Sequence, residues 1–304
     1  MVTIMSINKT FLFNILVIKF IFLHIIIILK MKGEYILRNE NIKTLYKGAI
    51  IGGTMLVPGV SGGSMAMIIG IYSDLISSVS SFFKDAKKNI IFLFLFVIGA
   101  GFGMVIFSRP LLALIETYTV PMMYFFIGAV IGGIPMIYNS AGGENITYKD
   151  IFLGAVGLIA VMSLSFLPQN IFAGENVSSD INMIWEILAG IIAAIALVLP
   201  GVSVSYMLLL MGMYDKTVYA ISELDIIFLL PMGMGLLLGI VLTTKLLEYV
   251  LKNYKRVAYM TILGFIFGSI IQVFPGLPRG YDWIISIMLL IFGYFLISTI
   301  SRKE

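Results

Sequence analysis

The chain has 304 residues, 60% hydrophobic and only 12% charged, with a formal net charge of +4 and a mean hydropathy of +1.06. A soluble domain is closer to 45–50% apolar and about 25% charged, so soluble enzymes, nucleic-acid binders and secreted disulfide scaffolds are excluded and an integral membrane protein is indicated. The absence of cysteine removes thiol nucleophiles and cysteine metal sites, and the single histidine, His24, leaves little for imidazole chemistry.

The apolar stretches run near 20 residues without the alternation of barrel strands, which points to an all-α membrane protein. In chain order, a first apolar helix is predicted over 11–29. An apolar region over 45–79 follows, interrupted by Pro58-Gly59. Full spans are then predicted over 89–107, 119–138 and 151–168. A second interrupted region covers 184–222, broken at Pro200-Gly201, and the remaining spans are 226–250, 257–274 and 282–300. Proline removes a backbone donor and clashes with the preceding turn, so both interrupted regions should break at their Pro-Gly pair.

Charge placement decides whether a broken region crosses or turns back. Lys30, Lys32, Arg38, Lys43 and Lys47 precede the first region, and Lys84, Lys87 and Lys88 follow it. Lysine and arginine accumulate on the cytoplasmic side, so both flanks are cytoplasmic and the region reads as a re-entrant hairpin. Counting onward, the loop 169–183 is external and carries Glu175 and Asp180 without a basic residue. Lys252, Lys255 and Arg256, and later Arg302 and Lys303, fall on the cytoplasmic side. External segments hold only Lys9, Arg109, Lys216 and Arg279 of the 20 basic residues, and Lys19 lies inside a span.

The chain also repeats itself. Pro58-Gly59-Val60-Ser61, with Met65, Gly70 and Tyr72, recurs as Pro200-Gly201-Val202-Ser203, with Met207, Gly212 and Tyr214, at an offset of 142. Tyr118, Gly128 and Gly132 recur as Tyr254, Gly264 and Gly268 at an offset of 136, which also pairs Arg109 with Lys245. A fixed-offset self-match indicates internal duplication. Each copy, 44–168 and 184–300, is one re-entrant hairpin plus three transmembrane helices. Three crossings are odd, so the copies are inverted, as in secondary transporters. Residues 1–43 form an N-terminal extension outside both copies.

Non-helical backbone inside a membrane lines a polar cavity or is buried in protein. Pro58, Gly59, Ser61, Gly62, Gly63 and Ser64 therefore form one candidate anion site, and Pro200, Gly201, Ser203 and Ser205 form its counterpart. Glycine backbone, serine hydroxyls and a helix N-terminus suit a phosphate or carboxylate. Small residues also serve helix packing in membranes, so the duplication is what singles these out. Arg109 and Lys245 are the cationic candidates, each also able to snorkel to the headgroups.

Residues 52–64, Gly-Gly-Thr-Met-Leu-Val-Pro-Gly-Val-Ser-Gly-Gly-Ser, followed by Gly70-Ile71-Tyr72, resemble the signature of the polyprenyl-phosphate transporter family, formerly a membrane family of unknown function. Its second signature resembles 200–214, and the resemblance covers roughly 44–300. It implies a multi-pass protein of a bacterial or archaeal cytoplasmic membrane. That protein would return undecaprenyl phosphate across the bilayer for cell-wall synthesis, and the phosphate would sit at the residues above. Many relatives carry an acidic or amide residue where this chain has Met55, and glycine where it has Val204. The extension 1–30 also exceeds the family's usual start, with Met31 as a natural alternative initiator. The partners implied are the lipid phosphate and the bilayer, not nucleic acid, and a homo-oligomer is compatible with the pattern. No cofactor is implied, and coupling to a proton or sodium gradient is compatible with it.

Two other readings stand beside this one. A secondary transporter of a small organic anion or ion would use the same architecture. An intramembrane serine protease would use Gly59-Val60-Ser61-Gly62, but a serine needs a base within reach, and His24 lies outside both copies.

Overall fold

A computed structural model describes residues 40–55, 60–143, 145–165, 167, 179–223, 225–280 and 282–301. The predicted helix 11–29 and most of the extension 1–43 lie outside them. Among the described residues every regular element is helical: α1 (Glu40–Thr54), α2 (Gly62–Ile68), α3 (Tyr72–Ser80), a 3₁₀ turn (Phe82–Lys84), α4 (Ala86–Thr117), α5 (Thr119–Ser140) and α6 (Tyr148–Ser165). The second half continues with α7 (Ser179–Val198), α8 (Val204–Leu210), α9 (Tyr214–Glu223), α10 (Ile226–Asn253), α11 (Lys255–Val273) and α12 (Asp282–Ser301).

Helices α4, α5, α10, α11 and α12 are long and apolar enough to cross a membrane. Helix α6, with 18 residues, is roughly 27 Å long at 1.5 Å per residue, just under the hydrocarbon thickness. Helix α4 runs to Thr117 rather than to 107. Pro110 does not stop it, and the apolar run Leu111–Ile115 carries it on until Tyr118. The Asp85 side chain accepts from the Lys88 amide at 3.3 Å and caps its start.

The second broken region breaks at Pro200-Gly201, as expected; in the first, one helix ends at Thr54 and the next begins at Gly62, with Pro58-Gly59 outside the described residues between them, and each region breaks a second time. In the first, α2 and α3 are turned by 115° at a break centred on Gly70. Gly70 and Gly212 have φ of 71° and 66°. The amides of Gly70 and Ile71 donate to the carbonyls of Met67 and Ala66, and those of Gly212 and Met213 to Leu209 and Leu208. This paired bonding past a left-handed glycine is the Schellman helix end. The repeated Gly-x-Tyr thus encodes a corner, and Tyr72 and Tyr214 open the helix beyond it.

Helices associate in four pairs: α1 with α4, α7 with α10, α5 with α12, and α6 with α11. The first two join helices within one half, and the last two exchange partners between halves. Glycines set the approach. A Cβ on Gly99 would overlap the Leu45 carbonyl, and one on Gly235 the Ile187 carbonyl. Likewise Gly128 meets Leu290 and Gly264 meets Gly154, while Gly157 meets Thr261 and Gly293 meets Phe125. Each matched contact lies at the repeat offset of 142 or 136. Close backbone approach through small residues is how membrane helices gain packing without a hydrophobic drive.

The halves differ in burial. Helix α2 lies in the main core, with Ile68 and Ile69 at 0% and 2% exposure, among Ile137, Val198, Ile262, Ile266 and Ile297. Helix α8 packs in a smaller cluster with α7. Helix α3 packs on α10, and among the described residues α9 makes no contact of that extent with α4.

Candidate functional site

The two broken regions meet. A Cβ on Gly63 would come within 3.3 Å of the backbone of Pro200 and the carbonyl of Val198, so only glycine allows this approach without a shift. Beside the contact lies a cavity of about 530 Å3. Ser61 and Gly62 line it from the first half, and Ser203 and Ser205 from the second, with Val60, Val202 and Tyr214 nearby. Sequence-predicted residues 142 positions apart therefore share one space.

Each of these residues is placed by the local break. Ser61 precedes α2 in extended conformation, and its side chain makes no capping bond. Ser203 precedes α8 in the same way, and its Oγ accepts from the Tyr206 amide at 3.4 Å, leaving the hydroxyl proton free to donate. The second arm expected to run on from Ser61 is only the 7 residues of α2, so little macrodipole accumulates there. Hydroxyls and loop amides are the cavity's main donors.

The remaining candidates fall elsewhere. Ser64 is 2% exposed, and its Oγ has no hydrogen-bond partner; it does not line the cavity. Gly201 takes φ 83° and packs on the Phe265 carbonyl, shaping the tip beside buried Pro200. Pro58 and Gly59 lie outside the described residues. Arg109 is exposed on α4 and does not line the cavity. Lys245 is exposed on α10 and lines a separate cavity with Lys84. Among the described residues no lysine, arginine, histidine or acid lines the space between the tips.

Residues given no role in the motif reading also line it: Tyr206, whose hydroxyl donates to the Leu164 carbonyl at 2.9 Å, and Leu209. Tyr214 lines it too, and the repeated Gly-x-Tyr is the signal in the sequence that points to it. Met55 and Val204, the two positions departing from the family pattern, both line the same cavity. Met55 packs on Gly62, where a Cβ would reach its Sδ at 3.0 Å.

At the edge of the molecule, Arg256 grips Asp150 through Nε at 2.8 Å and Nη2 at 2.7 Å. The Thr147 amide and hydroxyl donate to the same carboxylate at 2.7 Å. The Arg256 hydrogen bonds, then those of Thr147, hold this carboxyl well below the usual aspartate range. The pair ties the start of α6 to the start of α11.

Long apolar helices enclosing paired broken helices, with a polar cavity where the breaks meet, define a multi-pass membrane protein of the transporter type. Residues 51–285 match the family described as VCA0040-like, undecaprenyl phosphate translocase-like, and the chain belongs to that family. It is 32% identical over 269 residues to a polyprenyl-phosphate transporter of Staphylococcus aureus, covering 85% of this chain and 95% of that one. It is 28% identical over 248 residues to a polyprenyl-phosphate transporter of Vibrio cholerae, covering 77% and 78%. No solved structure matches the chain significantly.

Proposed function

We propose that this chain carries undecaprenyl phosphate, or a close polyprenyl phosphate, across the cytoplasmic membrane so that the lipid is reused in envelope synthesis. Its halves act as inverted repeats, each a re-entrant hairpin with three crossing helices. Supporting this are the odd number of crossings, the basic loops, and glycine seams that recur at one offset in both halves. The phosphate sits between the hairpin tips, bonded by Ser61, Ser203, Ser205 and the amides around Gly62, with Gly63, Ser64, Pro200 and Gly201 shaping the space. Pro58 and Gly59, which lie outside the described residues, are assigned to the same site by their place in the repeated motif. Arg109 and Lys245 meet the phosphate near the membrane faces, outside the central cavity.

The observation that carries this reading is that the repeated Val60-Ser61 and Val202-Ser203 line one cavity. Neutral donors suit a carrier, because a translocated charge has to be held firmly enough to enter and loosely enough to leave. The same lining weighs against a hydrolase: among the described residues none that lines the cavity is a histidine, lysine or acid able to activate Ser61. The test is a vesicle assay following undecaprenyl phosphate between leaflets. Acceleration over protein-free vesicles is expected, and alanine at Ser61 or Ser203 is expected to reduce it with insertion intact. Equal rates with and without protein would overturn the reading.

A further inference from the structure

A second cavity, of about 520 Å3, opens on the flank where the corner between α3 and α4 meets α10. Ser80, Ser81, Lys84 and Lys245 supply its polar groups, and Phe82, Phe83, Leu93 and Val241 its apolar lining. Phe83 is 93% exposed, so the apolar side opens to the surface of the molecule. Lys245 lies eight positions before the end of α10, about 12 Å at 1.5 Å per residue. Among the described residues neither Lys84 nor Lys245 forms an ion pair. Two cations without a contact ion pair thus share one amphipathic cavity.

The serines of this cavity already hold an oxyanion. Ser80 Oγ donates to the Glu248 carboxylate, Ser81 Oγ donates to it at 3.2 Å, and Lys252 Nζ bonds the same group. These partners come from α3 and α10, far apart in sequence. Two hydroxyls and an ammonium around an oxyanion are also what a phosphate monoester takes. Such a phosphate carries about −1.5 to −2 charge at neutral pH, which Lys84 and Lys245 together balance. Glu248 is the one acid of α10, and Lys252, which pairs with it, is 63% exposed.

We propose that this flank cavity is a docking site for the lipid-linked phosphate on the cytoplasmic side. Lys84 and Lys245 pair with the phosphate, and the isoprenoid chain lies along Phe82, Phe83, Leu93 and Val241. Glu248 holds the serine donors while the site is empty and yields them when the phosphate arrives. The proposal rests on the transport reading above and adds to it a second station, distinct from the space between the tips.

The chain has no cysteine, so Leu93→Cys allows one environment-sensitive fluorophore to report this cavity alone. In the full chain, reconstituted in zwitterionic nanodiscs, farnesyl phosphate is titrated and the fluorescence shift gives the affinity. Lys84→Ala with Lys245→Ala is expected to weaken binding about tenfold or more, as loss of charged hydrogen bonds does. Lys84→Arg with Lys245→Arg is expected to retain it, and Glu248→Gln to strengthen it. Farnesol and inorganic phosphate are expected to bind more weakly than farnesyl phosphate. Unchanged affinity in the double alanine variant, or equal binding of phosphatidylglycerol or of inorganic phosphate, overturns the docking site. If the wild-type chain still moves undecaprenyl phosphate between leaflets, that failure is confined to this cavity. Absence of wild-type transport instead removes the reading beneath it.

Discussion

The Tyr72 hydroxyl donates to the carbonyl oxygen of Val198 at 2.8 Å, joining the start of α3 to the broken end of α7. In an unbroken helix that carbonyl would accept from the amide four residues on, but the chain turns away at Pro200 and Gly201. Tyr72 is 4% exposed and supplies the missing donor from the other half of the molecule. Its repeat partner Tyr214 borders the cavity instead.

Tyr72→Phe leaves this carbonyl unpaired and is expected to destabilise the protein by about 1–3 kcal/mol. Tyr214→Phe is expected to leave stability nearly unchanged. Thermal unfolding in detergent distinguishes the two, and equal melting temperatures would sink the assignment.

The α1–α4 seam predicts a contrast between neighbouring glycines. A Cβ on Gly52 would overlap the backbone of Ala100, whereas Gly101 has nothing within 4 Å. Gly52→Ala should cost about 1–3 kcal/mol, as overpacking does, and Gly101→Ala should cost nothing measurable. Expression yield and melting temperature report both.

Gly70 and Gly212 hold the two corners with positive φ. Alanine at either is expected to cost about 1–2 kcal/mol from the Cβ clash in that conformation. Similar losses at both positions are expected, since both corners carry the same bonding. A loss at only one would show that the corners are not equivalent.

Asp150 gives a pH dependence of known sign. Its folded-state carboxyl titrates below the unfolded value, about 3.9, so its contribution is fully present above that pH and fades as pH falls further. Asp150→Asn should lower the melting temperature at neutral pH and flatten its decline in acid. A melting profile identical to wild type from pH 7 to about pH 3 would refute the role of this pair.

Met55 places a thioether where an amide would add a donor to the space between the tips. Met55→Gln is expected to tighten binding of a polyprenyl phosphate by about three- to tenfold, the effect of one added hydrogen bond. Unaltered affinity would place the phosphate out of reach of this side chain.

Much of the architecture is readable in the letters. Runs such as 226–250 and 282–300 are long and uniformly apolar, so local composition alone produces α10 and α12. Pro58 and Pro200 announce the first breaks because proline's effect is local. The second breaks at Gly70 and Gly212 are harder to read, since a glycine in an apolar run serves packing as often as turning, and only φ separates the uses. Which serines share a cavity is less legible still. Ser61 and Ser203 converge through tertiary packing of Gly63 on Pro200, whereas Ser64, three residues on, faces the core. Lys245 paired with Arg109 by offset, yet the cavity it lines was made by the α3–α4 corner, which has no signature in periodicity.

The glycine seams have a mechanical consequence. Helices that touch backbone to backbone have no layer of side chains to slide on, and their ridges cannot change register without lifting the axes apart. Each of the four pairs is therefore a stiff beam. Any displacement falls at the joints between beams, among them the corners at Gly70 and Gly212. A molecule built of stiff beams is expected to rearrange by tilting whole pairs rather than by sliding helices within them.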